Sequence, residues 1–243
     1  MLGGKPKAPA LDLTQLAERR EAAWQSLGTV NEQVVSRLIP GEVPWPTSAL
    51  GKMVLIHRPS DVLLVTDGLS DPYDPELHRT PPEAPLDFEL CLPIAPGDPS
   101  ATSDHALASG PWPKLLYPLA DVLVEEWIDL RGALRKFGAI TFQAPIGRGF
   151  GQGFEKDGWV GYLLGMPLEG SDFDRQLYLN NFYAGLPVPY SGAAIGIFPV
   201  KVLRPSELAW AMAQGNEGAM TLARELIARG DGCRNDATLP ALH

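Results

Sequence analysis

How strand-like and helix-like segments are grouped along this chain narrows its fold more than any other feature. Asp12 to Leu27 sets Leu13, Leu16, Ala17, Trp24 and Leu27 on one helical face, the 3.6-residue period of an amphipathic helix. Asp12 with Gln15 three residues on predicts a capped start, and Gly28 a stop. Val30 to Leu38 reads as a second helix, ended by Pro40-Gly41. Two strands follow, Met53 to His57 and Asp61 to Thr66, joined by a hairpin turn at Pro59-Ser60-Asp61. Phe88 to Ile94 is the next strand, with Phe88, Leu90 and Leu92 facing one way and Glu89 and Cys91 the other. Ala95 to Gly110 reads as a loop. Trp112-Pro113 opens a helix to about Arg131, and Pro118 predicts that its regular part begins near Tyr117. Strand signals return at Ala139 to Ala144, Trp159 to Met166 and Ile195 to Leu203. Helices from Pro205 to near Gly215 and from Asn216 to Ala228 close the pattern.

Strands that come in groups, without strict β-α-β alternation, predict an α+β fold: a mixed, mostly antiparallel sheet with helices packed on its faces. The expected organisation is one domain over residues 1–243. Its core spans about 30–229, with the helix of residues 12–27 before it and a frayed tail at 231–243.

Composition bounds the function. The chain has 243 residues, 45% of them hydrophobic, and a formal net charge of −9. That charge repels phosphate backbones, which argues against nucleic acid, and it suits a basic protein partner. No run approaches the roughly 18 apolar residues of a membrane span, so no membrane association is expected. Two cysteines, Cys91 and Cys233, do not make a disulfide scaffold, and a cytoplasmic setting is the simplest reading. The sequence leaves the oligomeric state open.

Few motifs carry chemistry. His57, His78, His105 and His243 are scattered without metal-ligand spacing, and no cofactor is expected. The acidic loop from Asp67 to His78 lacks the spacing of a calcium loop. It contains Ser70, Asp71 and His78, the residue types of a hydrolytic triad, and a hydrolase using it is the alternative reading. No G-x-S-x-G elbow supports that alternative. The run Gly147 to Gly153 has no helix behind it to cradle a phosphate and reads as a hairpin tip, at which Arg148 and Phe150 could touch a partner. The segment Ser171 to Gly192 gathers Tyr178, Phe182, Tyr183 and Tyr190, a composition typical of binding surfaces.

Gly68-Leu69-Ser70-Asp71 followed by Tyr73 resembles the signature turn of suppressor-of-fused domains. Phe88-Glu89-Leu90, Trp112-Pro113, Leu119-Ala120, Tyr162-Leu163-Leu164 and the block from Phe198 through Ser206-Glu207-Leu208 are similar to that family in the same order, in patches between Val30 and Arg229. The resemblance implies a bacterial-type, single-domain, non-enzymatic protein that binds another protein. Its expected form is an immunity protein facing a cognate toxin, with a basic toxin domain as partner. It carries over Ser70, Asp71, Tyr73 and Glu89 as positions of structure or contact. Arg148, Phe150 and Tyr183 join them as partner-binding candidates on composition.

Overall fold

The computed structural model describes residues 13–32, 35–41, 43–74, 76–78, 86–146, 153–168, 177–179 and 194–243. Among the described residues ten strands form one sheet: β1 (Thr29–Val30), β2 (Val35–Ser36), β3 (Lys52–His57), β4 (Val62–Thr66), β5 (Phe88–Ile94), β6 (Ile140–Pro145), β7 (Glu155–Lys156), β8 (Trp159–Leu164), β9 (Leu177–Leu179) and β10 (Ile195–Leu203). The main order is β1-β3-β4-β5-β10-β8-β6. All pairings are antiparallel except β5 with β10. The α+β class with a mixed, mostly antiparallel sheet is as expected. Among the described residues six α-helices accompany it: α1 (Leu13–Leu27), α2 (Asp104–Ser109), α3 (Pro111–Glu125), α4 (Leu130–Phe137), α5 (Pro205–Ala213) and α6 (Gly218–Arg229).

Strand alternation sorts the apolar side chains onto two covered faces. Met53, Leu55, Leu64, Phe88, Leu90, Val160, Tyr162, Phe198, Val200 and Val202 share one core with Trp112, Leu115, Leu116, Leu119 and Leu123 of α3. On the opposite face Val54, Ile56, Leu63, Val65, Cys91 and Ile197 meet Trp24 of α1. There too Leu163 and Leu203 meet Leu208, Leu222, Ala223 and Leu226 of α5 and α6. Burying each such large side chain contributes about 1.5–3 kcal/mol. Both central strands, β5 and β10, are buried along their whole length.

The structure departs from the sequence reading in four places. Val30 to Leu38 is not a helix: β1 and β2 pair with the outer side of β3. The β-branched Val30 and Val35 suit the pleated edge better than a helix. Ala95 to Gly110 is not all loop: Ser103 caps α2 by accepting from the amide of Ala106. The long helix begins at Pro111, runs through Pro118 and stops at Glu125. Trp127 then takes a positive φ of 51° and Asp129 caps the separate α4, so the expected continuation to Arg131 is broken by a local cap.

The fourth departure is the tail. Residues 231–243 are docked, not frayed. The parallel ladder of β5 and β10 ends at the pair Cys91–Pro199. Pro199, and Pro93 two residues beyond Cys91, have no N–H to continue it. Asn235 fills the fork between the strands. Its Oδ1 accepts from the amide of Val202 at 2.8 Å, and its Nδ2 donates to the carbonyls of Val200 (2.9 Å) and Pro93 (3.0 Å). Its backbone bonds Pro93 and Ala95. The side-chain amide thus stands in for a missing peptide unit.

Candidate functional site

The turn singled out in the sequence leaves β4 at Thr66 and is built around one carboxylate. Glu89, the second residue of β5, is fully buried. Its oxygens accept from the amides of Gly68 (3.1 Å), Leu69 (3.3 Å) and Ser70 (3.0 Å), and from the hydroxyls of Thr66 (2.7 Å) and Ser70 (2.6 Å). Successive amides turn inward onto one anion, and Gly68 makes this feasible with a φ of 121°. Strand alternation correctly points Glu89 away from Phe88 and Leu90; what it meets there is the turn, not solvent.

Around this core lies a second ring of charge. Arg20 of α1 donates to Asp67 at 2.7 Å and forks onto both oxygens of Asp71. Trp24 Nε1 and Lys52 also reach Asp67, and Thr47 Oγ1 reaches Asp71 at 2.8 Å. Arg20, Asp67, Asp71 and Ser70 are all buried. Burial works against the charge on Arg20, but Asp71, Asp67 and Glu89 outweigh it and raise its pKa. Burial likewise opposes ionisation of Asp67, and Arg20 with Lys52 hold its pKa below the ordinary carboxylate range. The network staples α1 across the sheet. The N-terminal helix therefore belongs to the core that the sequence reading began at residue 30.

Burial pushes the Glu89 carboxyl up to about 7 from its ordinary 4.5, against the pull of Arg20 and the bonds from Ser70 and Thr66. A carboxyl whose folded pKa lies above its unfolded value holds its proton more tightly in the folded state. Its stabilising effect is complete below pH 4.5 and is lost as pH rises towards 7. The loss amounts to at most about 3 kcal/mol. Thermal melting of wild type between these limits is expected to show that decline, and Glu89→Gln to lack it. Parallel profiles would show that Glu89 does not titrate there.

Ser70, Asp71 and Glu89, expected at positions of structure or contact, are enclosed and engaged within the fold. Their hydrogen bonds hold the turn together. Tyr73 differs. Its ring stacks on Trp127 (centroids 5.1 Å apart, 18° between planes) and meets the edge of His78 at 4.8 Å. Its hydroxyl is buried with no hydrogen-bond partner among the described residues, and burial pushes its pKa up to about 12. Trp127 is 41% exposed. Exposed carboxylates neighbour these rings along the chain: Glu76 two residues before His78, and Glu125, Glu126 and Asp129 within two residues of Trp127.

The triad types of the acidic loop pair otherwise than in a catalytic relay. Ser70 Oγ donates to Glu89, Asp71 is bound by Arg20, and His78 Nε2 lies 3.1 Å from the carbonyl of Trp45. Among the described residues no group of three His, Cys, Asp or Glu side chains converges to hold a metal ion. Likewise no helix there is long and apolar enough to cross a membrane. Arg148, Phe150 and Tyr183, with residues 147–152, 171–176 and 180–192, lie outside the described residues.

Sequence reasoning missed Arg20, although the signal is present. It lies four residues after Leu16 and four before Trp24, a cation in the middle of an apolar stripe. Such a residue demands buried anions. Trp127 had no comparable signal, since its exposure follows from the break between α3 and α4. This chain matches no family model, no curated protein and no solved structure.

Proposed function

We propose that this chain works by binding another protein, as its resemblance to suppressor-of-fused domains implies, and that the shelf of Tyr73, Trp127 and His78 is its contact surface. One observation carries the reading: a partly exposed stack of aromatic rings is held at the end of a turn that buried hydrogen bonds make rigid. Rigid aromatic side chains contribute large contact area at small entropic cost, which is the usual make-up of an interface anchor.

The exposed carboxylates Glu76, Glu125, Glu126 and Asp129, close to these rings along the chain, support a cationic partner. A Lys or Arg side chain would lie over the face of Trp127 while its neighbours meet the carboxylates. A basic toxin domain, masked by an immunity protein, has this character, and the net charge of −9 favours its approach.

The test is capture from the native host with tagged wild type and with Trp127→Ala, both checked for folding by circular dichroism. Wild type is expected to retain one stoichiometric, salt-sensitive basic partner. The variant is expected to bind it roughly 30-fold more weakly, about 2 kcal/mol. Equal retention by both would remove the shelf from the interface. No partner, together with hydrolytic turnover abolished by His78→Ala, would replace the binding reading with an enzymatic one.

A further inference from the structure

Beyond Asn235 the docked tail is held mainly through its backbone. The amide of Ala237 donates to Asp98 Oδ2 at 2.7 Å, and the amide of Leu242 to Glu207 Oε1 at 3.0 Å. Arg204 Nη2 donates to the carbonyls of Ala237 (2.6 Å) and Leu239 (3.1 Å), and Arg229 Nη1 to that of Pro240 (3.3 Å). An Asx turn shapes the segment: Asp236 Oδ1 accepts from the amide and the hydroxyl of Thr238. None of residues 236–243 is fully buried. Ala237 and Leu242 pack against the edges of two cores. His243 adds a stack on Trp210 and a 2.7 Å contact with Glu225.

The side chains that grip this backbone are fixed without it. Asp98 and Glu207 are buried. Asp98 Oδ1 accepts from the amide of Ser100 (2.8 Å) and from Trp112 Nε1 (3.2 Å), which leaves Oδ2 for the tail. Glu207 Oε2 accepts from the amide of Arg204 at the start of α5, which leaves Oε1. The Arg204 guanidinium lies over the Phe154 ring at 4.0 Å. A lifted tail would uncover two carboxylate oxygens and a guanidinium already set to meet two amides and two carbonyls. Such lifting needs no global unfolding, because segments with few buried apolar contacts open at lower free energy than the core.

We infer that this groove is a peptide-binding site, which residues 236–243 fill in cis and yield to a segment of a partner protein. The tail shows what the ligand must be. It is a short linear segment in which an Asp or Asn closes an Asx turn and an aliphatic residue and proline follow, as in Asp236-Ala237-Thr238-Leu239-Pro240. From Ala237 to Leu242 the tail carries no charge, in keeping with a groove whose charges act on the backbone. Proline suits position 240, where only the carbonyl is bound. The inference uses no residue of the aromatic shelf and is independent of it. Because the cis tail competes, the apparent affinity for a second peptide is reduced to the fraction of molecules with the tail lifted.

The test uses the full chain and a labelled synthetic peptide of residues 236–243, followed by fluorescence anisotropy. Wild type is expected to bind it weakly. Ala237→Pro alters the tail alone and deletes the amide that Asp98 accepts, so this chain should bind the peptide at least about tenfold more tightly. A peptide carrying the same change should bind neither chain. No gain of affinity in Ala237→Pro, or equal binding of a scrambled peptide, overturns the inference. Amide exchange of native wild type decides if the variant fails to fold by circular dichroism. The amides of Ala237 and Leu242 are expected to exchange well before those of β10. Exchange at the same rate as β10 would mean that the tail opens only on global unfolding, and overturns the inference. A chain mass that doubles on concentration, by light scattering, would make the occupant a second copy's tail and also overturn it. Loss of capture by Trp127→Ala would stand in every case, since that shelf is a separate surface.

Discussion

Arg20→Met is expected to destabilise the protein by about 3–5 kcal/mol, measured by urea unfolding at neutral pH. Methionine keeps the unbranched stem and its helix propensity, so the loss isolates the guanidinium. What remains is the cost. Asp71 loses both bonds to its fork and keeps Thr47, while Asp67 keeps Lys52 and Trp24. Two buried carboxylates are then undercompensated, with the buried Glu89 nearby. Removing one partner from a buried ionic network typically costs this much, because the other charges stay desolvated. Lys52→Met is the matched control. Lys52 also pairs with Asp67, but its side chain is 44% exposed, and screening leaves such a pair worth no more than about 1 kcal/mol. Equal losses for the two variants would show that the network does not depend on Arg20. The larger loss should also appear as faster amide exchange through α1, which the network ties to the sheet.

Asn235→Ala should cost about 2–4 kcal/mol, because it strands the amide of Val202 and the carbonyl of Val200 in the interior, while the Pro93 carbonyl keeps only the backbone amide of residue 235. Each buried group left without a partner costs about 1–3 kcal/mol, and local relaxation recovers part of the sum. Asn235→Asp separates the two halves of the effect. It keeps the acceptor for Val202 and removes both donors, so it should also be destabilising, with a buried charge added. A melting temperature unchanged by Asn235→Ala would mean that the tail is dispensable to the fork. The same variant should leave capture of a partner by the aromatic shelf intact, since Asn235 lies between β5 and β10.

The periodicity of this chain is enough to place α1, the hairpin of β3 and β4, β5, β8, β10 and the closing helices. In each of these, apolar residues recur at 2 or 3.6 and turn residues bound the run, which are local properties of the chain. The α+β class follows from their order. Two-residue strands such as β1 and β2 carry no period, and their conformation comes from the edge of β3. Glu89 could be read as pointing away from its apolar neighbours because alternation fixes direction. That it gathers three amides and two hydroxyls depends on how β4 turns over β5. Arg20 was visible as a charge in an apolar stripe, yet its anions lie 47 and 51 residues further on. The docking of residues 231–243 had no signal, because Asn235 is bound by the fork that Pro93 and Pro199 create. Local spacing encodes direction and conformation; partners distant along the chain are selected by packing, where desolvation makes each unpaired polar group costly.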